Sequence, residues 1–182
     1  MEYLLILAMA VIYALANLAN SWLFQSFEIS SQISWVYLPA FLCLLFVLVL
    51  GRVNGFLSIL LGGFLLVSQT EGLNILTVLN SVLAALAPVL ACVCFQRWHR
   101  RQIELSSLRD LLQLMVVYCM LNALLHHLIW ALFAPSQWHQ PLQILVMMTG
   151  DLLGCLIGVG LMKAAIDRFG LPQKGFRTPP QE

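Results

Sequence analysis

Long apolar stretches separated by short polar connections make up most of the chain. Six of these stretches approach the roughly 20 apolar residues that a helix needs to cross a bilayer. They lie at 3–24, 34–50, 53–68, 74–95, 110–133 and 142–166. The second and third are short and meet at a tight turn, predicted at 51–55. The pattern predicts an all-α integral membrane protein, a bundle of six transmembrane helices over residues 1–169 with a short cytoplasmic tail at 170–182.

The composition is typical of a chain that lies within a lipid bilayer. Hydrophobic residues make up 61% of it and charged residues 9%, against roughly 25% charged residues in soluble domains. The lipid bilayer is therefore the first expected partner. The net charge of +1, with no basic stripe or Gly-rich phosphate loop, argues against nucleic acid as another. The N-terminus lacks a positive region and a small-residue cleavage site, so we expect a retained first helix rather than a removed signal peptide.

The distribution of basic residues predicts the orientation. The nine lie in or beside the second connection, the fourth connection and the end of the chain: Arg52, Arg97, Arg100, Arg101, Arg109, Lys163, Arg168, Lys174 and Arg177. The other connections carry no Lys or Arg, only Glu28, Glu71 and His139. Under the positive-inside rule both termini are cytoplasmic (N-in/C-in), in a bacterial inner membrane. The arginine cluster at 97–109 is most simply an orientation signal, and contact with anionic lipid or a signalling partner is the alternative.

Asp151 is an acidic residue placed deep within an apolar span. A carboxylate in the membrane core is costly, so it usually has a partner or a water-filled pocket and marks a functional site. Gly150, Gly154 and Gly158 are spaced four apart beside it, which places them on one helix face. Glycines on one face allow close helix packing, so we expect Asp151 to point into the bundle.

Polar residues of four predicted helices fall at similar depths. At about 1.5 Å per residue from the outer helix end, Asp151 lies about 13 Å deep, His126 and His127 about 10 Å, and Asn80 about 9 Å. The inner half of the predicted bundle is nearly all Leu, Val and Ala. This asymmetry predicts a pocket reached from the outer face. The predicted ligand-binding or proton-sensing residues are Asn17, Trp35, Asn80, Asn122, His126, His127 and Asp151.

These residues also have simpler interpretations. Asn and His within membrane helices often form only interhelical hydrogen bonds, each worth about 1 kcal/mol, and Trp35 fits an aromatic belt at the interface. Asp151 and one histidine could form a charge-assisted pair, but adjacent histidines point about 100° apart and cannot both face it equally well. Further ligands with metal or haem spacing are missing, so we expect neither a metal nor another cofactor. The five cysteines fall within spans and are expected to be buried free thiols.

Four stretches of the chain resemble those of a known family in their order and spacing. They are 35–40 (WVYLPA), 51–63 with its turn and glycine pair, 108–111 (LRDL) after a basic loop, and 150–154 (GDLLG). Over residues 33–166 the chain resembles the first class of bacterial membrane-associated sensor domains. The resemblance implies an integral membrane input domain for an unidentified stimulus, and a homodimer. Such domains are usually fused to a cytoplasmic cyclase, phosphodiesterase or kinase. Here only a short tail is expected after the last helix, so a standalone copy would signal through a partner protein.

Several classes of function stay open at this point. The leading hypothesis is a sensor or ligand-binding module whose outward-facing polar pocket takes an unknown small ligand or a proton, with a membrane or cytoplasmic signalling partner. The alternative is a substrate-binding subunit or small transporter for a small metabolite or vitamin, a class of similar length with an outward pocket. An enzyme is not expected, since no nucleophile motif, HExxH or second catalytic carboxylate accompanies Asp151. A structural role as a scaffold is also open, and in that role the glycine face would bind a helix of a partner protein.

Overall fold

The computed structural model describes residues 2–30, 33–70, 74–103, 107–135 and 141–169. The predicted tail at 170–182 lies outside these ranges, as do Glu71 and His139 of the third and fifth connections. Within the described ranges, helices account for most of the chain.

Five helices are long and apolar enough to cross a membrane in the part of the chain that the structure describes. They are α1 (Glu2–Leu23), α2 (Pro39–Thr70), α3 (Ile75–His99), α4 (Leu108–Phe133) and α5 (Pro141–Phe169). The chain is therefore an all-helical, multi-pass membrane protein. The predicted count of six spans is not confirmed, because α2 covers the region in which two short spans were expected.

A break at Gly51 divides α2 into two limbs. Gly51 has φ +82° and ψ 169°, a backbone conformation that favours glycine. A Cβ atom built on Gly55 would lie 2.6 Å from the Cα of Val47, whereas eight residues along a continuous helix would separate them by about 12 Å. The second limb (52–70) therefore folds back on the first (39–50). The first limb is only about 18 Å long, shorter than the roughly 30 Å hydrocarbon core.

The chain reaches α2 through an extended segment rather than a helix. A 3-10 turn (Gln25–Phe27) leads into two short antiparallel strands, β1 (Glu28–Ser30) and β2 (Ile33–Ser34). Residues 34–38, predicted as the start of a helix, are not helical, and α2 begins at Pro39. Proline disfavours helical geometry in the residue before it and fits the first helical position, which explains the later start.

The glycine face of α5 receives this extended segment. Cβ atoms built on Gly150 and Gly154 would lie 2.0 Å from the carbonyl oxygen of Ser34 and 1.9 Å from that of Tyr37. The amide of Tyr37 donates a hydrogen bond to the carbonyl oxygen of Gly150, with N and O 3.1 Å apart. A helix was expected on this face, but the described structure places one only at Gly158, where the ring of Phe41 in α2 approaches.

An apolar core fills the end of the bundle where Gly51, the C-terminus of α3 and the N-terminus of α4 come together. We call this the connection end. Its buried residues include Phe46, Val47, Phe95, Leu114 and Met115. The opposite end, where α1 ends and α3 begins, holds most of the buried polar side chains and is called the cavity end.

Candidate functional site

A cavity of about 360 Å³ lies at the cavity end, among all five helices and the two strands. Most of its lining residues are of polar types, although apolar atoms make up the larger part of the lining surface. The polar lining residues are Tyr13, Asn17, Asn20, Ser21, Glu28, Ser34, Tyr37, Thr77, Asn80, Ser81, Tyr118, Asn122, His126 and Asp151. A volume of this size falls in the range of small-molecule sites in proteins, about 300 to 1,000 Å³.

The structure brings five of the seven predicted site residues to this cavity. Asn17, Asn80, Asn122, His126 and Asp151 line it, each from a helix that the sequence had placed in the polar layer.

The other two predicted site residues lie elsewhere. Trp35 is not among the lining residues and is 41% exposed, a placement that suits an interface anchor. His127 is only 2% exposed and packs against Trp130, with ring centroids 4.9 Å apart. The ring of His126 also contacts Trp130, with centroids 5.7 Å apart, but of the two neighbouring histidines only His126 lines the cavity.

Asp151 is paired with an asparagine rather than a histidine. Its side chain is 1% exposed, and Asn122 Nδ2 donates a hydrogen bond to Asp151 Oδ2 at 2.8 Å. His126 directs its Nδ1 to the carbonyl oxygen of Asn122, 3.0 Å away, within the same helix. The charge-assisted pair that Asp151 and a histidine could form does not occur among the described residues. Nδ1 of each histidine is directed to a carbonyl oxygen of α4 itself, and Asn122 occupies the place beside Asp151.

The amide oxygen of Asn122 is left without a hydrogen-bond partner among the described residues, although it is buried. A buried acceptor that has no partner costs about 1 to 3 kcal/mol. The amide nitrogen of Asn122 donates its hydrogen bond to Asp151, so the amide oxygen is the atom that has no partner in the described part of the chain. Asp151 and Asn122 both line the cavity, and we call these two neighbouring side chains the acceptor patch.

The other asparagines join helices and loops around the cavity. Asn17 Oδ1 accepts from the hydroxyl of Tyr37 at 2.6 Å, and Asn20 Oδ1 accepts from the amide of Leu38 at 2.9 Å. Asn80 Oδ1 accepts from Trp130 Nε1 at 2.9 Å. Only the bond of Asn80 joins two helices, while those of Asn17 and Asn20 join α1 to the extended segment before α2. All three bonds stabilise the walls of the cavity.

Three tyrosines line the cavity that sequence reasoning did not select: Tyr13, Tyr37 and Tyr118. Two of them carried a usable signal. Tyr13 stands four residues before Asn17, and Tyr118 stands four residues before Asn122, so each shares a helix face with a predicted site residue. Tyr37 carried no such signal, because it lies in the extended segment before α2.

The hydroxyl of Tyr37 provides a test of the wall around Asn17. Tyr37→Phe removes the donor to the buried Asn17 oxygen, so we expect the protein to lose about 1 to 2 kcal/mol of stability. Thermal unfolding in lipid nanodiscs measures this loss. Tyr3→Phe is the matched control, because Tyr3 is exposed on α1. Equal stability of the two variants would show that the Tyr37–Asn17 bond does not stabilise the wall.

The predicted arginine cluster lies at the connection end. Arg97, Arg100 and Arg109 are exposed, as the predicted contact with lipid or a partner requires. Arg101 instead binds Asp110 through both ends of its guanidinium, with Nη1–Oδ2 at 2.5 Å and Nη2–Oδ1 at 2.7 Å. Arg101 therefore ties the connection after α3 to the first turn of α4.

No group of three or more His, Cys, Asp or Glu side chains that could hold a metal occurs within the described ranges. All five cysteines are free thiols. Four of them are buried as expected, whereas Cys94 is exposed. The cavity offers hydrogen-bonding and electrostatic recognition through Asp151, Asn122 and the tyrosines that line it.

No protein-family model, curated protein or solved structure matches this chain. The geometry of the cavity and the sequence itself therefore carry the functional conclusion.

Proposed function

We propose that this protein is an integral membrane module that binds a small molecule in the cavity among its helices. The observation that carries the proposal is the buried carboxylate of Asp151 on the wall of a cavity of about 360 Å³. A charged or strongly polar group within a membrane bundle is costly to keep and usually serves a function. Here it faces a space large enough for a ligand.

We propose a six-segment topology in which each limb of α2 counts as one segment. The reversal at Gly51 supports it, because the second limb runs back from the connection end. An even number of segments brings both termini to the same side of the membrane. Arg52, Arg101 and Arg109 lie at the connection end, so the positive-inside rule places that end in the cytoplasm of a bacterial cell. The cavity then opens away from the cytoplasm.

We propose a sensory role for ligand binding, in line with the resemblance to membrane-associated sensor domains. α3 and α4 contribute Asn80, Asn122 and His126 to the cavity, and their other ends meet at the Arg101–Asp110 pair. A ligand that shifts these two helices would therefore also shift the exposed arginines at the connection end. A signalling partner bound there would receive the change.

Uptake of a small metabolite by a transporter subunit is the second candidate. The observation that favours it is the place of the cavity, which lies at one end of the bundle while an apolar core closes the other. Such a subunit would need a partner to move its substrate onward. Uptake of the bound compound by cells that produce the protein would favour transport over sensing.

Filling the cavity tests the proposed function. Ala84 lines the cavity, so Ala84→Phe places a phenyl ring in it, and we expect the variant to lose a copurifying small molecule. Native mass spectrometry of protein taken from membranes in lipid nanodiscs measures the bound mass. Ala19→Phe is the control, because Ala19 is exposed and does not line the cavity. A molecule retained equally by both variants, or none in the wild-type protein, would contradict the proposal.

A further inference from the structure

We infer that the cavity recognises a small organic cation, and that the ammonium group of this ligand binds Asp151 and the amide oxygen of Asn122. This inference rests on the proposed function and adds the chemical class of the ligand. Three features of the cavity lead to it: the charges on its wall, the hydrogen-bonding groups still open on that wall, and the aromatic rings around them.

The charges on the wall favour a positive ligand. Asp151 and Glu28 line the cavity, and among its described lining residues there is no Lys or Arg. His126 also lines it, and its Nδ1 is engaged by the carbonyl oxygen of Asn122. An anionic ligand would meet Asp151 without a cation to offset the repulsion, and a buried uncompensated charge is costly.

Two acceptors on this wall have hydrogen-bonding capacity left, the carboxylate of Asp151 and the amide oxygen of Asn122. Three amide oxygens already accept from protein donors, those of Asn17, Asn20 and Asn80. Asp151 accepts one hydrogen bond, from Asn122, and the buried oxygen of Asn122 accepts none among the described residues. An ammonium group supplies several N–H donors and a positive charge at once, so it satisfies both groups better than a hydroxyl can.

The aromatic rings suit the same ligand. Tyr13, Tyr37 and Tyr118 line the cavity. The faces of tyrosine rings attract cations, an interaction worth about 0.5 to 2 kcal/mol that grows as water is excluded. A compact ligand that carries both an ammonium group and an apolar body would use the acceptor patch and the rings together.

Three ligands of nearly equal size and different charge test the inference. Benzylammonium, benzyl alcohol and benzoate share a phenyl ring and differ in the group attached to it. We expect benzylammonium to bind the wild-type protein in nanodiscs at least about tenfold more tightly than the other two, because only it forms charge-assisted bonds. Isothermal titration calorimetry measures the three dissociation constants. The ranking in the wild-type protein decides the ligand class even if a variant fails to fold.

Variants then locate the site. Asp151→Asn is expected to weaken benzylammonium binding at least about tenfold, towards the value for benzyl alcohol, because it removes the charge and keeps the shape. Asp167→Asn is the matched control, since Asp167 is exposed on α5 and does not line the cavity. Equal weakening by both variants would contradict a role specific to Asp151.

The remaining outcomes separate this inference from the proposed function. If benzyl alcohol or benzoate binds as tightly as benzylammonium, the inference of a cationic ligand is overturned. In that case the proposed function as a binding module is still supported if Ala84→Phe abolishes the binding. If benzylammonium binds Ala84→Phe as tightly as it binds the wild-type protein, its binding site lies outside the cavity and the inference is overturned. It is also overturned if benzylammonium does not bind at about 10 mM, roughly ten times a millimolar dissociation constant.

Discussion

Gly154→Ala is expected to destabilise the protein by about 3 kcal/mol and to displace the extended segment before α2. The added Cβ would lie 1.9 Å from the carbonyl oxygen of Tyr37 and 2.5 Å from its carbonyl carbon. Both atoms belong to the backbone, so the clash cannot be relieved by turning a flexible side chain. Either the segment at 33–38 moves away from α5 or α5 shifts in the bundle. Both changes would disturb the cavity, because Ser34 and Tyr37 line it.

Thermal unfolding in nanodiscs measures this effect, with Gly160→Ala as the control. Gly160 lies in the same helix, and a Cβ built on it meets nothing within 4 Å. Alanine is a better helix former than glycine by about 1 kcal/mol, so Gly160→Ala should be neutral or stabilising. If the two variants unfolded at the same temperature, the close contact between α5 and the extended segment would not contribute to stability.

Arg101→Met is expected to cost about 2 kcal/mol, because it removes both bonds to a buried carboxylate. Asp110 is 1% exposed, whereas the Arg101 side chain is 45% exposed. The guanidinium therefore brings the counter-charge to Asp110 from a half-exposed position, and its loss costs less than breaking a fully buried pair would. Urea unfolding of the detergent-solubilised protein, followed by circular dichroism, measures the change.

Two further substitutions show whether geometry or charge matters at Arg101. Arg109→Met removes an exposed arginine of the same connection, so it should change stability by less than about 0.5 kcal/mol. Arg101→Lys keeps the charge and loses the two-pronged contact, so its stability should fall between wild type and Arg101→Met. Equal stability of Arg101→Met and Arg109→Met would rule out the ion pair as a clamp on the connection.

The Arg101–Asp110 pair also bears on the proposed sensing role. It joins α3 and α4 at the end opposite the cavity, where the two helices would transmit a shift of their cavity residues. Asp110 lies in the first turn of α4, where the helix dipole favours a negative charge. The helix dipole therefore stabilises the carboxylate at this position. The half-exposed arginine is the partner whose attraction to the carboxylate is weakened by solvent and salt.

The helices that cross the membrane could be predicted from the sequence to within a few residues at most ends. α1, α4 and α5 match the expected 3–24, 110–133 and 142–166 closely. Such agreement has a physical origin, because a helix in lipid must satisfy its backbone polar groups internally and show apolar side chains over about 20 residues. The break at Gly51 was also predicted, because the glycines and the arginine within 51–55 interrupt the apolar pattern.

The segment at 33–38 could not be predicted in the same way. Its sequence is as apolar as a helix start, and only Pro39 marks where the helix begins. Its extended form is stabilised by contacts with Gly150 and Gly154, more than 100 residues further along the chain. The glycine spacing was visible in the sequence, but spacing alone did not reveal whether a helix or an extended backbone would pack there.

The sequence by itself determined that this is a multi-pass membrane protein, and it placed polar residues of four helices at a common depth. Only the tertiary structure decided how they are arranged, because each helix is free to rotate about its axis until packing fixes it. That rotation gave Asp151 an asparagine as its partner, placed His126 but not His127 on the cavity wall, and brought three tyrosines into the wall.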